Sequence, residues 1–527
     1  MEITLPVQPP TIVRRESVAG SFKGPEFDAR GVMPEPWKHG RGQFSATIST
    51  SPWLPQIVGL PVILKYPHGC FEQISTKLLG YSLLANLLAY LPDLEERDVE
   101  YRATLERGMK QYADSLLSNG MLPYWPGGDT GNGFVTCQAL WSVNESINAG
   151  FEAPADLQEK LTGAVTKILN GQLPASRYEK CFALFVLTQS EGHDNFRNES
   201  VELYLHRNEG GDEERALLAI GLHQQNIMAR EQQQLLREID TPIKERAFNP
   251  ATFTSMTRAE AMRAFAFNVI SPPSWTKQRK QQARERMAKL MDTAGSLSTQ
   301  ENLWLLLAFK SMLGTEAAPE LSNGIRPPGV LSKNNQSIAW LDHKLDSDLA
   351  IKGLSQGALT FLLRAEYSTN QVDTDRVDRG FRIERVVENL TDTNRVGTSA
   401  APFKLGDQLL ITYRLNTRKL QNFVALEDAL PAGLEVVNPN LALIAKFFQL
   451  PPPDPQDRVL GLSYSEMRDR SALLYFDTID PGSGTYSVLA RATAAGAFRW
   501  PATQVAPMYD SRFSGLSPSS LCVISSD

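Results

Sequence analysis

The sequence has little cysteine, 4 residues in 527, which excludes a disulfide framework of the kind that staples small secreted domains. It has no apolar run of the roughly 18–20 residues that a helical membrane span needs. It has no block of Lys or Arg, and its net charge is only −6, so no nucleic-acid partner is expected. The His residues fall at no metal-ligand spacing, and P-loop, dinucleotide fingerprint and acidic DxDD run are all missing. Neither a cofactor nor a metal is therefore expected. The first residues, MEITLPVQPP, lack the basic and apolar regions of a signal peptide and read as the end of a strand. The chain is thus expected to be a piece of a longer protein.

A chain of 527 residues exceeds a single core, and its texture changes along its length. Residues 1–58 carry short β-type runs broken by Pro and Gly, such as GQFSATISTSPW. From Tyr66 to Gly314 the pattern is helical. Tyr101, Leu105, Met109, Tyr112 and Leu116 recur at spacings of three and four over 99–117. Similar stripes cover 78–91, 155–169, 178–189, 213–223, 229–239, 258–269, 279–292 and 299–312. Such helices with brief links predict successive antiparallel pairs in a ring or solenoid. Strand patterns then return in SIAWLDHKL and GALTFLLRAEY. They continue through GFRIERVVENL, QLLITYRLNT, NFVALEDAL, LLYFDTI and YSVLARATAA, with the spacing of a sandwich. The first β piece is too short to close a core alone. The helical block is therefore expected to be an insertion in one small β domain.

One short stretch carries chemistry. YPHGCFEQ holds Cys70 and Gln73 at i and i+3, which face one another if a helix begins here. N–H groups at that helix start would lower the thiol pKa, and Gly69 would permit a sharp turn. The thiolate could attack the Gln73 carboxamide and expel ammonia, leaving a thioester, given fixed geometry and exclusion of water. Glu72 is a candidate to shuttle the proton that ammonia needs. His68 lies two residues from Cys70, where helical side chains do not face each other, so a Cys–His hydrolase pair is disfavoured. The other cysteines are Cys137, Cys181 and Cys522. A Cys137–Cys181 bridge and two buried free thiols both fit their apolar surroundings, the thiols being the plainer reading.

GCFEQ matches the GCxEQ thioester motif, and by it the chain resembles the alpha-2-macroglobulin and complement protein family. The flanking YPHGCFEQISTKLL resembles the bacterial form in particular. YWPGGD resembles the family's Trp-Gly-Gly segment. DALPAGLEVVNP, YSEMRDRSALLYFD and ATQVAPMYDSRF resemble stretches of its last macroglobulin domain. The resemblance implies a multidomain fold of α and β parts. Residues 1–58 and 317–372 would form a CUB-like β domain, 59–316 an inserted α/α-toroid thioester domain, and 373–527 a macroglobulin-like β-sandwich.

It implies a broad protease inhibitor, acting once and without turnover. A lysine amine of a target protease attacks the Gln73 acyl carbon and Cys70 leaves. Tyr66, His68, Trp125, Met508 and Tyr509 would shelter the bond, although Pro507 departs from the relatives' usual residue before the Met. His193, in the polar stretch QSEGHDN, is not expected to redirect the bond toward hydroxyls. The implied setting is a monomeric periplasmic protein, with membrane contact only through a lipid anchor outside this chain. Two rivals are a thioester-bearing adhesion or scaffold module and an α/α-toroid enzyme of the terpenoid-cyclase type, which would need the acidic or Zn clusters that are lacking.

Overall fold

The computed structural model describes residues 14–24, 26–38, 40–49, 54–85, 91, 98–189, 195–241, 248–291, 297–312, 330–334, 337–342, 350–352, 358–369, 376–437, 458–468, 471–510 and 512–526. His193 and the link at 313–329 lie outside these. The chain divides into two compact units. One holds Glu16–Met33 and Gln43–Ala365, and the other is chiefly Glu366–Asp527.

Among the described residues of the first unit, the α-helices of six residues or more are α1 (Gly59–Leu64), α2 (Phe71–Leu84), α3 (Asp98–Ser115), α4 (Gly133–Asn148), α5 (Leu157–Leu169), α6 (Arg177–Leu187), α7 (Arg197–Leu205), α8 (Asp212–Gln224), α9 (Ala229–Ile239), α10 (Met256–Ile270), α11 (Lys277–Met291) and α12 (Thr299–Met312). Side-chain caps fix several starts. Asn132 accepts from Val135 N at 2.9 Å, and Ser176 and Glu179 form a reciprocal capping box. The predicted stripes fall on helices to within a few residues, with one shift: the stripe drawn from Leu78 belongs to a helix that begins at Phe71. Helices α1, α4 and α7 have no predicted counterpart. In α4 every residue from Gly133 to Val143 is buried, so no polar face marks a period.

Packing runs in a circuit. Helix α2 lies on α4, α4 on α6, α6 on α8, α8 on α10 and α10 on α12, and α12 returns to α2. Aromatic side chains fill the space between them, as where Trp141 of α4 meets Trp304 of α12 with ring centroids 5.4 Å apart.

A five-stranded sheet draws strands from both sides of the helical run. Its order is Arg14–Lys23, Ala358–Thr369, Gly40–Ser49, Ser337–Asp342 and Val330–Asn334. Gly40–Ser49 and Ser337–Asp342 pair antiparallel, with Phe44 opposite Asp342.

In the second unit, a four-stranded sheet has the order Leu434–Val436, Gly482–Ala492, Gln408–Thr417, Phe381–Asn389. A six-stranded sheet has the order Tyr464–Arg468, Ser471–Ile479, Gln421–Ala429, Gln504–Pro507, Ser514–Leu516, Val377–Arg379. One apolar core takes Ile383, Ile411 and Val488 from the first and Leu426, Phe476 and Val505 from the second. This is sandwich packing.

Candidate functional site

Helix α2 begins inside the protein. Cys70 is its N-cap, extended at φ −65° and ψ 159°, and its side chain makes no capping hydrogen bond. Ile74 N donates to Cys70 O at 3.0 Å and closes the first turn. Phe71, Glu72, Gln73, Ile74, Ser75 and Thr76 are all buried. A polar turn this deep needs partners, because an unsatisfied buried donor or acceptor costs about 1–3 kcal/mol.

Most of the turn has them. Glu72 Oε1 accepts from Thr76 Oγ1 at 2.7 Å and from Gln300 Nε2 at 2.5 Å. Gln138 Nε2 donates to Thr76 Oγ1 at 2.8 Å, and Gln300 Nε2 reaches Gln138 Oε1 at 3.0 Å. Four buried side chains thereby tie α2, α4 and α12 together. Ser75 Oγ donates to Phe71 O at 2.8 Å and lies 2.6 Å from Tyr112 Oη, whose pKa burial pushes above the usual phenol range.

Gln73 is the exception. Its side chain is fully buried, and neither Oε1 nor Nε2 has a hydrogen-bond partner. It sits three residues after the N-cap sulfur, on the same helical turn.

The sulfur has a neighbour that sequence reading passed over. Cys70 Sγ lies 3.5 Å from Tyr124 Oη, in hydrogen-bond reach for sulfur. The loop holding Tyr124 is pinned to the helix start, since Phe71 N donates to Tyr124 O at 3.1 Å. Its shape follows from WPGG. Gly128 N donates to Trp125 O at 3.1 Å, with Pro126 and Gly127 at the turn's centre and Gly127 at φ +77°. That is the Pro-Gly pattern of a type II turn. The Tyr124 ring stacks on Phe253 at 6.4 Å and meets Trp125 edge-on at 5.2 Å. Nothing in YWPGGD says which of its two aromatics turns toward the cysteine.

The other predicted residues divide into two groups. Tyr66 and His68 are half-buried and touch edge to face with ring centroids 5.2 Å apart. Trp125 is buried in the loop. Met508 and Tyr509 are buried in the second unit, where Tyr509 meets Phe423 at 5.5 Å. Gly69 does not behave as expected. Its φ is not in the left-handed region, and a Cβ there would meet no atom within 4 Å. Glycine is therefore required at this position neither by conformation nor by crowding.

Cys137, Cys181 and Cys522 are free and buried. Burial raises the Cys137 thiol well above its ordinary value and pushes Cys181 up to about 12. Such thiols are inert near neutral pH. A pocket of about 490 Å³ opens where α6, α8 and α10 begin, lined in part by Arg177, Glu213 and Glu214. Its acids are spoken for: Arg177 pairs with Glu214 at 2.5 Å, Arg258 with Glu213 at 2.9 Å and Arg215 with Asp212 at 3.1 Å, and Glu209 meets His206 Nδ1 at 2.8 Å. Among the described residues no group of His, Cys, Asp and Glu could hold a metal ion, and no helix is long and apolar enough to cross a membrane.

Comparison with known proteins gives one consistent answer. Residues 380–511 match the model of the bacterial alpha-2-macroglobulin MG10 domain. The fold of 98% of the chain matches Salmonella alpha-2-macroglobulin reacted with methylamine, with a TM-score of 0.77 and 18% identity. It also matches native Escherichia coli alpha-2-macroglobulin spanning domain MG7 to the C-terminus, with a TM-score of 0.74 and 17% identity, over 98% of this chain and 83% of that one. The chain spans only about a third of the Salmonella chain it matches, 34% of its length. No curated protein sequence matches it. Residues 380–511 thus match the bacterial alpha-2-macroglobulin MG10 domain, and the chain as a whole has the fold of the C-terminal region of a bacterial alpha-2-macroglobulin.

Proposed function

We propose that this chain is the thioester-bearing part of a bacterial protease inhibitor, which traps its target through a bond between Cys70 and Gln73. One observation carries the reading: the buried Gln73 carboxamide has no partner, one helical turn from a buried cysteine. An amide kept there costs stability and gains nothing. A thioester at the same place has no N–H to satisfy. The fit of motif, burial and missing partners is what a Cys–Gln cross-link requires.

The chemistry balances simply. Cys70 Sγ bonds to the Gln73 acyl carbon, the C–N bond breaks, and the thiol proton leaves with ammonia. Glu72 is the proposed aid to that transfer. Later a lysine amine of a bound protease attacks the same carbon and Cys70 departs as a thiol. The protease is then held by an amide bond, and the inhibitor is spent after one event. No cofactor takes part. Tyr66, His68, Trp125, Met508 and Tyr509 are the proposed shelter against water. The circuit of helix contacts supports reading the helical run as an α/α-toroid, set in a CUB-like β domain and followed by the macroglobulin sandwich. A monomeric periplasmic protein, lipid-anchored through a part beyond this chain, completes the proposal.

The test is the intact mass of freshly purified protein, with and without methylamine, an amine with which the Salmonella relative has been reacted. The chain should weigh one ammonia less than its sequence, and methylamine should add covalently and release one thiol. Cys70→Ala should abolish all three effects. A wild-type chain of full encoded mass that ignores methylamine overturns the reading.

A further inference from the structure

We propose that the Tyr124 phenol is the proton partner of the Cys70 sulfur, taking the thiol proton as the bond closes and supplying one as it opens. This rests on the thioester reading and adds a catalytic residue to it. The observation is the 3.5 Å approach of Cys70 Sγ to Tyr124 Oη. The phenol is held there from three sides: by the Phe71 N to Tyr124 O hydrogen bond at 3.1 Å, by stacking on Phe253 at 6.4 Å, and by the edge contact with Trp125 at 5.2 Å. The loop behind it is tied down as well, where Leu122 N donates to Thr136 Oγ1 at 3.0 Å and Asn132 N to Leu122 O at 2.8 Å.

A fully buried sulfur cannot gain or lose charge cheaply, because water is not there to solvate a thiolate. A hydroxyl both accepts and donates, so one group serves both directions. In closure the S–H bond breaks toward Tyr124 Oη while sulfur bonds to the Gln73 acyl carbon. That proton, or its equivalent from the phenol, ends on the departing nitrogen as ammonia. In opening, an amine nitrogen bonds to the acyl carbon and the S–C electron pair returns to sulfur. Tyr124 gives its proton to Sγ and recovers one from the acylated amine nitrogen. No external oxidant or reductant enters, and the tyrosine is regenerated.

Tyr124→Phe separates this from a sheltering role, since the ring stays and only the oxygen goes. In a variant that closes, shown by loss of ammonia from its intact mass, methylamine should open the bond about tenfold more slowly than in wild type. The effect falls below the usual span of general acid catalysis because a thiolate is a fair leaving group. An unchanged or faster rate overturns the proposal. A variant with wild-type circular dichroism and melting that never closes supports it, as the phenol is then needed for closure. If Tyr124→Phe folds poorly, 3,5-difluorotyrosine at position 124 replaces it. The more acidic phenol should shift the pH profile of methylamine opening to lower pH, and an unmoved profile overturns the assignment. Failure of the thioester itself is distinguished by the wild-type mass alone.

Discussion

Asp428 in the sandwich and Gln73 in the helical unit are both fully buried polar side chains, and the two units treat them in opposite ways. Asp428 is saturated. Arg385 donates to Oδ1 at 2.6 Å, Thr503 Oγ1 to the same oxygen at 2.9 Å, and Tyr413 Oη to Oδ2 at 2.9 Å. Arg385 in turn lies over the Trp500 ring at 4.2 Å and donates to Pro501 O at 2.8 Å. Gln73 has no hydrogen-bond partner at either polar atom. Where every donor and acceptor is matched, a buried polar group holds a fold in one arrangement. Where a carboxamide is buried and left unmatched one helical turn from a cysteine, the proposed thioester accounts for the missing partners.

That contrast can be broken by substitution. The largest effect is expected at Asp428→Ala, which strands an Arg385 side chain only 4% exposed and a buried Tyr413 hydroxyl. Breaking a buried pair from one side should cost about 3–5 kcal/mol, read from urea unfolding of the full chain with hydrogen exchange in peptides of 376–526. Next comes a pH effect in the helical unit. Burial pushes the Glu213 carboxyl from 4.5 up to about 7, against the pull of Arg258 at 2.9 Å. Its folded value is raised, so its contribution to stability is full below pH 4.5 and is lost as pH rises toward 7. Glu213→Gln should flatten that slope in thermal melts across this window, and an unchanged slope would assign it elsewhere. The smallest effect is expected at Gln73→Leu, compared in a Cys70→Ala background so that no thioester enters either side. With no hydrogen bond to lose, it should cost under about 1 kcal/mol or be neutral. A loss as large as that at Asp428 would show that Gln73 is an ordinary structural amide.

The sandwich was the more legible of the two units. Its strands are β-rich runs set off by turn residues, and the run QLLITYRLNT coincides with the strand Gln408–Thr417. The inner helices were harder. Helix α4 is buried all round through Val143, and the first turn of α2 buries Glu72, Gln73, Ser75 and Thr76, so polarity there says nothing of exposure. Sequence placed the start of α2 at Leu78 by its stripe, while GCFEQ itself suggested a helix beginning near Cys70. The structure follows the latter. Cys70 and Gln73 could be found because five contiguous residues carry them. Tyr124 lies in YWPGGD, a segment the sequence singles out without saying which of its aromatics meets the sulfur, whereas Gln138 and Gln300 join the site from distant segments and carry no local signature.

The link from Glu72 to Gln300 bears on when the site comes into being. Their side chains meet at 2.5 Å across 228 residues of chain. During vectorial synthesis, helix α2 emerges long before α12 exists to receive it. The turn that holds Cys70 and Gln73 therefore lacks one wall until nearly the whole helical run has been made. Long-range closures of this kind come late in folding. On the proposed reading, a thioester formed earlier would face water and be hydrolysed. On that reading, a site walled by α12 ties the closing of the bond to the completion of the helical run.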